Sequence, residues 1–302
     1  MTLSVDDVIA RIPQWNGRDV QTSFLAGGIT NQNYKVVVGS EAYVLRISGA
    51  NTELLGVNRQ VEHEANLAAA RIGVAPEVIY LIEPEEYLVT RFVEGQSITL
   101  DGIRQPETIQ RIMQALKQIH TLPPIDCQFN AFRFVENCTR IAIENGVTFP
   151  DNFDWMMACA NQIENALASH LAPLRLCHND LLNANFLIGS QDDKLTILDW
   201  EYAAMGDPFF DLANFTANHE FSDEQDREVL LAYWGKVTLQ NRAHLKLMQI
   251  MSDFREAMWG MVQLGISKLD FDFRMYADKH FTRLSERLNH IEYKHWLKNK
   301  IS

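Results

Sequence analysis

The spacing of hydrophobic positions changes character near residue 95. Before it, residues 22–26, 34–38 and 43–47 are runs of β-branched and aromatic side chains, the last two flanking Gly39-Ser40 as a hairpin would. Residues 57–72 are rich in Ala, Leu, Glu and Arg and stop at Gly73 and Pro76, which predicts a helix. Residues 78–82 and 87–92 read as strands across an acidic turn, and residues 5–12 as a short helix. The order is a small antiparallel sheet crossed by one helix. After Gly95 the pattern predicts helices over 106–120, 131–145 and 152–171. Two short apolar runs follow, 185–188 and 195–198, and from Asp223 onward apolar residues recur at spacings of three and four. The expected architecture is α+β and bilobal, with a small sheet lobe over 1–92 and a large, mainly helical lobe over 93–302. The cleft between two such lobes is a natural ligand site. There is no internal repeat and no low-complexity segment.

Composition narrows the function. With 27 Lys and Arg against 39 Asp and Glu, the formal charge is −12. A protein that binds nucleic acid by neutralising phosphates needs the opposite balance. Any phosphate-bearing ligand here needs local cations or a metal, whereas a cationic ligand suits the average field. No run of 18 apolar residues occurs and the first residues lack a signal-peptide pattern, so a cytoplasmic protein without a membrane span is expected. Cys127, Cys138, Cys159 and Cys177 are widely spaced and read as reduced thiols.

The informative stretch is His178-Asn179-Asp180-Leu181-Leu182-Asn183-Ala184-Asn185, followed by the apolar run ending at Leu198 and then by Asp199. H-x-D-L-x-x-x-N, a strand and an Asp resemble the catalytic loop of protein-kinase-like phosphotransferases. In that arrangement Asp180 accepts the proton of an attacking hydroxyl. Asn185 and Asp199 offer hard oxygen ligands to Mg2+ on the phosphates of ATP. His178 is expected to brace the loop. No G-x-x-x-x-G-K-[ST] and no G-x-G-x-x-G occurs, which disfavours P-loop and dinucleotide folds.

The continuation Asp199-Trp200-Glu201-Tyr202, then Phe210-Asp211-Leu212-Ala213-Asn214, resembles the choline/ethanolamine kinase family and its aminoglycoside-phosphotransferase-like relatives. Gly27-Gly28-Ile29-Thr30-Asn31 is similar to that family's glycine-rich phosphate segment. The resemblance implies a protein-kinase-like fold, with Gly27, Gly28, Thr30 and Asn31 around the phosphates. It places Arg46 where protein kinases carry a phosphate-contacting Lys, and pairs it with a Glu of the first long helix, Glu62 or Glu64. It makes residues 87–93 the hinge, Arg91 and Val93 offering backbone groups to adenine. Asp211 either braces the catalytic loop or sits as a carboxylate at a helix N-terminus.

Trp259-Gly260-Met261 and Phe271-Asp272-Phe273, with Tyr276-Ala277, resemble the acceptor end of the same family. Trp259 is then a candidate wall for a quaternary ammonium, with Asp180 and Glu201 as nearby carboxylates. The family pattern departs here: its second tryptophan falls on Val262, a following Glu falls near Asn218, and Gln263 lies one turn early. The resemblance implies an ATP- and Mg2+-dependent kinase of a small amino alcohol, choline first. Ethanolamine, thiamine or an aminoglycoside is the alternative acceptor, and a nucleotide-binding pseudokinase is the minor one.

Overall fold

The computed structural model describes residues 4–26, 31–49, 52–168 and 173–299. Its first lobe is a five-stranded antiparallel sheet of β1 (Val20–Leu25), β2 (Gln32–Val38), β3 (Glu41–Ile47), β4 (Val78–Ile82) and β5 (Tyr87–Arg91), in the order β1-β2-β3-β5-β4. Val38 pairs with Glu41, so Gly39-Ser40 is a two-residue hairpin loop, and Gly39 takes the left-handed φ of +65° that such a turn needs. Helix α1 (Val5–Ile9) and a 3-10 turn at Pro13–Trp15 cover one face, burying Val8, Ile12 and Trp15 with Val36, Leu45 and Val89.

Helix α2 (Arg59–Arg71) begins at Asn58, whose side chain accepts from the Gln60 and Val61 N–H groups. It ends before Gly73 at φ +75°. Ala65 and Ala69 are fully buried in the apolar cluster of the second lobe rather than that of the sheet. The helix therefore belongs to the first lobe by chain order and to the second by packing.

In the second lobe β6 (Gly95–Ser97), β8 (Phe186–Gly189) and β9 (Leu195–Ile197) form one small sheet, and β7 (Arg175–Cys177) pairs with β10 (Ala204–Gly206). Three-residue strands such as β6, β7 and β10 are too short to show alternation, which is why the sequence pattern does not reveal them. The helices are α3 (Leu100–Ile103), α4 (Pro106–Ile119), α5 (Ala131–Glu144), α6 (Phe153–Leu167), α7 (Pro208–Asn218), α8 (Asp223–Trp234), α9 (Leu239–Ile266), α10 (Phe273–Leu288) and α11 (Tyr293–Lys298).

Helix α9, 28 residues long, is the axis of this lobe, and α5, α7 and α10 pack around it. Its buried positions include Asp253, Arg255 and Glu256 as well as apolar residues. Charges buried so deeply need partners. Asp253 meets Arg283 and Arg287, whereas Arg255 and Glu256 face the cleft. No described helix is long and apolar enough to cross a membrane, and the four cysteines are free thiols.

Candidate active site

The loop between β7 and β8 is held mainly through its backbone. Asp211, buried at the start of α7, accepts the N–H of His178 at 2.9 Å and of Asn179 at 2.7 Å. It also meets His120 Nε2 at 2.9 Å. Burial opposes its ionisation, but these hydrogen bonds prevail and hold its pKa below the ordinary carboxylate value. His178 Nε2 lies 2.9 Å from the Leu198 carbonyl, and its Nδ1 accepts the Asp180 N–H at 3.3 Å. Asn214, one turn along α7, takes the Leu181 N–H at 2.6 Å and reaches Ser252 and Glu256 on α9. Asn179 and Asp199 both adopt left-handed backbone, at φ +64° and +61°. That conformation is uncommon outside glycine, and here surrounding hydrogen bonds maintain it.

His120, Cys177 and Asp211 lie close enough to touch one ion. Both His120 nitrogens are engaged, by Tyr233 and Asp211, and burial pushes the Cys177 thiol well up, so the cluster is a brace rather than a metal site. Asp211→Ala leaves two buried N–H groups unpaired, at about 1–3 kcal/mol each. A melting temperature lowered by several degrees is expected; an unchanged one removes Asp211 from the support of the loop.

Across the cleft, Arg46 on β3 pairs with Glu62 on α2 and lies 3.2 Å from Asp199. Of the two glutamates left open by spacing, Glu62 is buried against Arg46 and Glu64 is exposed. Arg59, one turn earlier, binds Glu62 at 2.8 Å, Glu201 at 3.0 Å, and Asn31 and Thr52 at 3.2 Å. Asn31 in turn donates to Glu201 at 3.0 Å. The side chain of Asn31 is thus a tie between lobes, not a free phosphate donor. Asn185 donates to the Asp180 carbonyl at 2.9 Å, leaving its Oδ1 for a cation.

Five carboxylates (Glu62, Asp180, Asp199, Glu201, Glu256) face three guanidiniums (Arg46, Arg59, Arg255). Burial raises the proton affinity of Asp199 well above normal; Glu201, Glu62 and Asp180 add to this and Arg46 opposes it. Its side chain remains 37 % open to the cleft. An open, oxygen-donor site with two uncompensated negative charges fits one Mg2+, which Asn185 and Asp199 could hold.

On the α9 side, Arg255 Nη1 lies 3.1 Å from Asp180 Oδ1 and 2.8 Å from Glu256 Oε1. A cavity of about 200 Å³ opens between residues 55–61 and 127–137, lined by Phe134, Asn130, Glu201 and Tyr202 among others. Glu201 thus borders the cavity, but its carboxylate is already engaged by Arg59 and Asn31. Trp259 does not wall it. Trp259 is buried behind Tyr202, donating to the Tyr202 hydroxyl at 3.0 Å and packing on Phe273 and Tyr276.

At the hinge, the Arg91 N–H is taken by the Glu77 carbonyl at 2.8 Å and its side chain by Glu41 and Glu77. The backbone N–H of Arg91 is therefore already engaged. Val93 follows the end of β5, between the two sheets. Gly27, Gly28 and Thr30 lie outside the described residues.

Arg59, Arg255 and Glu256 were not anticipated from the sequence, and Asn214 stood in the quoted motif without a role. One signal was available for Arg59: a cation in the first turn of a helix opposes the macrodipole and implies a buried acidic partner.

Comparison with known proteins follows the same lines. The model of the phosphotransferase enzyme family (APH) matches residues 21–246. The chain is 30% identical over 227 residues to Protein LicA of Haemophilus influenzae, covering 73% of this chain and 65% of that protein's length. A choline/ethanolamine kinase family protein from Mesorhizobium loti superposes with a TM-score of 0.81 at 29% identity, over 96% of this chain and 95% of that one. Choline kinase LicA from Streptococcus pneumoniae shares the fold, with a TM-score of 0.75 at 23% identity over 89% and 92% of the two chains.

Proposed function

This chain belongs to the phosphotransferase enzyme family and is a small-molecule kinase, and from that premise we propose that it moves the γ-phosphoryl group of ATP to the hydroxyl of a small amino alcohol, choline being the first acceptor to test. Ethanolamine, thiamine and aminoglycosides complete the panel, and the cytoplasm is the proposed compartment. The observation that carries the reading is the convergence on one cleft of Asp180, Asp199 and Arg46, from three separate elements.

Asp180 lies within a braced loop, where it can accept the proton of an incoming hydroxyl and align its oxygen. Arg46, kept charged by Glu62 and Asp199, offers its guanidinium to phosphate oxygens. Asn185 and Asp199 would hold Mg2+, whose charge would offset that of the phosphates. Backbone at Val93 is the proposed adenine contact, and residues 27–31 the proposed phosphate cover. Positioning and electrostatics supply most of the rate in such transfers.

Coupled ADP release over the acceptor panel tests this. One alcohol is expected to stimulate ADP formation, with the phosphoryl group recovered on that alcohol. Asp199→Ala and removal of Mg2+ by chelation are each expected to lower the rate by about 100-fold or more. ADP formation that no alcohol stimulates, or that survives both treatments, overturns the reading.

A further inference from the structure

Arg255 stands where a cationic acceptor was expected to be held. It is 2 % exposed and projects from α9 onto Asp180 and Glu256. Its guanidinium carbon lies 4.3 Å from the centre of the Tyr202 ring and 5.5 Å from that of Phe134. A cation between carboxylates and aromatic faces is how a substituted ammonium is recognised. The same two rings line the cavity beside the cleft. The carboxylate that borders this cavity, Glu201, is neutralised by Arg59. Among the described residues, Arg255 Nε and Nη2 have no hydrogen-bond partner, so the side chain is held by its charge and its stacking rather than by a full set of hydrogen bonds.

We propose that Arg255 determines acceptor specificity: its guanidinium fills the cation subsite beside Asp180, so the enzyme selects an acceptor by its hydroxyl and the shape of its body and gains little from positive charge on it. The proposal rests on the phosphotransferase reading above and deepens it. A quaternary ammonium entering this site meets a like charge on the ring faces it needs. Removing the Arg255 charge leaves Asp180 and Glu256 as adjacent buried carboxylates without their shared cation, a vacancy that an ammonium fills.

The test compares choline with 3,3-dimethylbutan-1-ol, which has the same shape without the charge. For the unmodified protein the two KM values are expected to lie within about tenfold of each other, since a working cation site separates them by more. Arg255→Met is expected to shift the ratio toward choline by about tenfold or more, and Arg255→Lys to keep the original ratio. Binding of each alcohol is read in parallel from the rise in melting temperature it causes without ATP. That readout survives if no alcohol is phosphorylated, so failure of the kinase reading is distinguished from failure of this one. A preference of the unmodified protein for choline beyond tenfold overturns the proposal, and this measurement decides alone if Arg255→Met does not fold. A ratio unchanged by Arg255→Met overturns it also, as does absence of binding of both alcohols to both proteins.

Discussion

Asp180→Asn is expected to lower the turnover number for phosphoryl transfer by about 10²–10⁴-fold, the usual contribution of a positioned general base, while the protein folds normally. The backbone of Asp180 is tied on both sides, its N–H to His178 and its carbonyl to Asn185, while its carboxylate meets Arg255. Asparagine keeps both, and its amide oxygen can still face Arg255, but it loses the ability to take a proton together with the charge paired to Arg255. The environment adds a pH signature. Burial is the largest influence on the carboxyl; Arg255 opposes it, Glu256 and Glu201 reinforce it, and the pKa is pushed up to about 7.

The working form is the ionised one, so the rate falls as pH drops through about 7. The linkage has a definite sign. A carboxyl raised from 3.8 to about 7 favours folding at acid pH and withdraws that stability as pH rises between the two values. Asp180→Asn should flatten both the acid limb of the residual rate and this part of the stability profile. A variant with unaltered turnover, or an unmodified enzyme with a flat rate from pH 5.5 to 8, removes Asp180 from the role of base.

Arg59→Met is expected to be the most damaging single change away from the reacting atoms. Arg59 is the shared partner of Glu62 and Glu201 and also holds Asn31 and Thr52. Methionine matches much of its bulk but leaves a carboxylate on each side of the cleft buried with one partner fewer. Breaking a buried pair of this kind costs about 3–5 kcal/mol. Thermal unfolding should show a clear loss, and KM for ATP should rise because Arg46 then carries Glu62 alone. Lysine at the same position should recover part of the stability, though it cannot reach four partners from one ammonium. A melting temperature within a degree of the original would mean that the cluster contributes nothing.

The reacting groups were legible because short spacings define them. His178, Asp180, Asn185 and Asp199 lie within 22 consecutive residues around two strands, and such local geometry follows from local sequence. The five-stranded sheet was legible for a similar reason, each hairpin having its own turn chemistry. The acceptor side was not. Trp259 and Arg255 are one helical turn apart on a helix buried on nearly every face, so periodicity cannot say which of them points at Asp180. The resemblance pointed to the tryptophan; in the structure Trp259 donates to the Tyr202 hydroxyl, while the Arg255 guanidinium lies over the Tyr202 ring and meets Asp180. Arg59 escaped notice because its partners, Asn31, Thr52, Glu62 and Glu201, are spread over 170 residues and meet only in the folded chain.

Helix α2 carries the glutamate that pairs with Arg46, and in protein kinases displacement of the corresponding helix is a means of control. Here Ala65 and Ala69 are fixed in the core of the large lobe, and Arg59 is bound to Glu201 beneath it. A helix anchored in that way has no second resting place without exposing apolar surface and separating buried ions. The consequence concerns regulation. An on–off signal delivered to this helix would have to draw Ala65 and Ala69 out of that core and separate the pairs that Glu62 and Arg59 make.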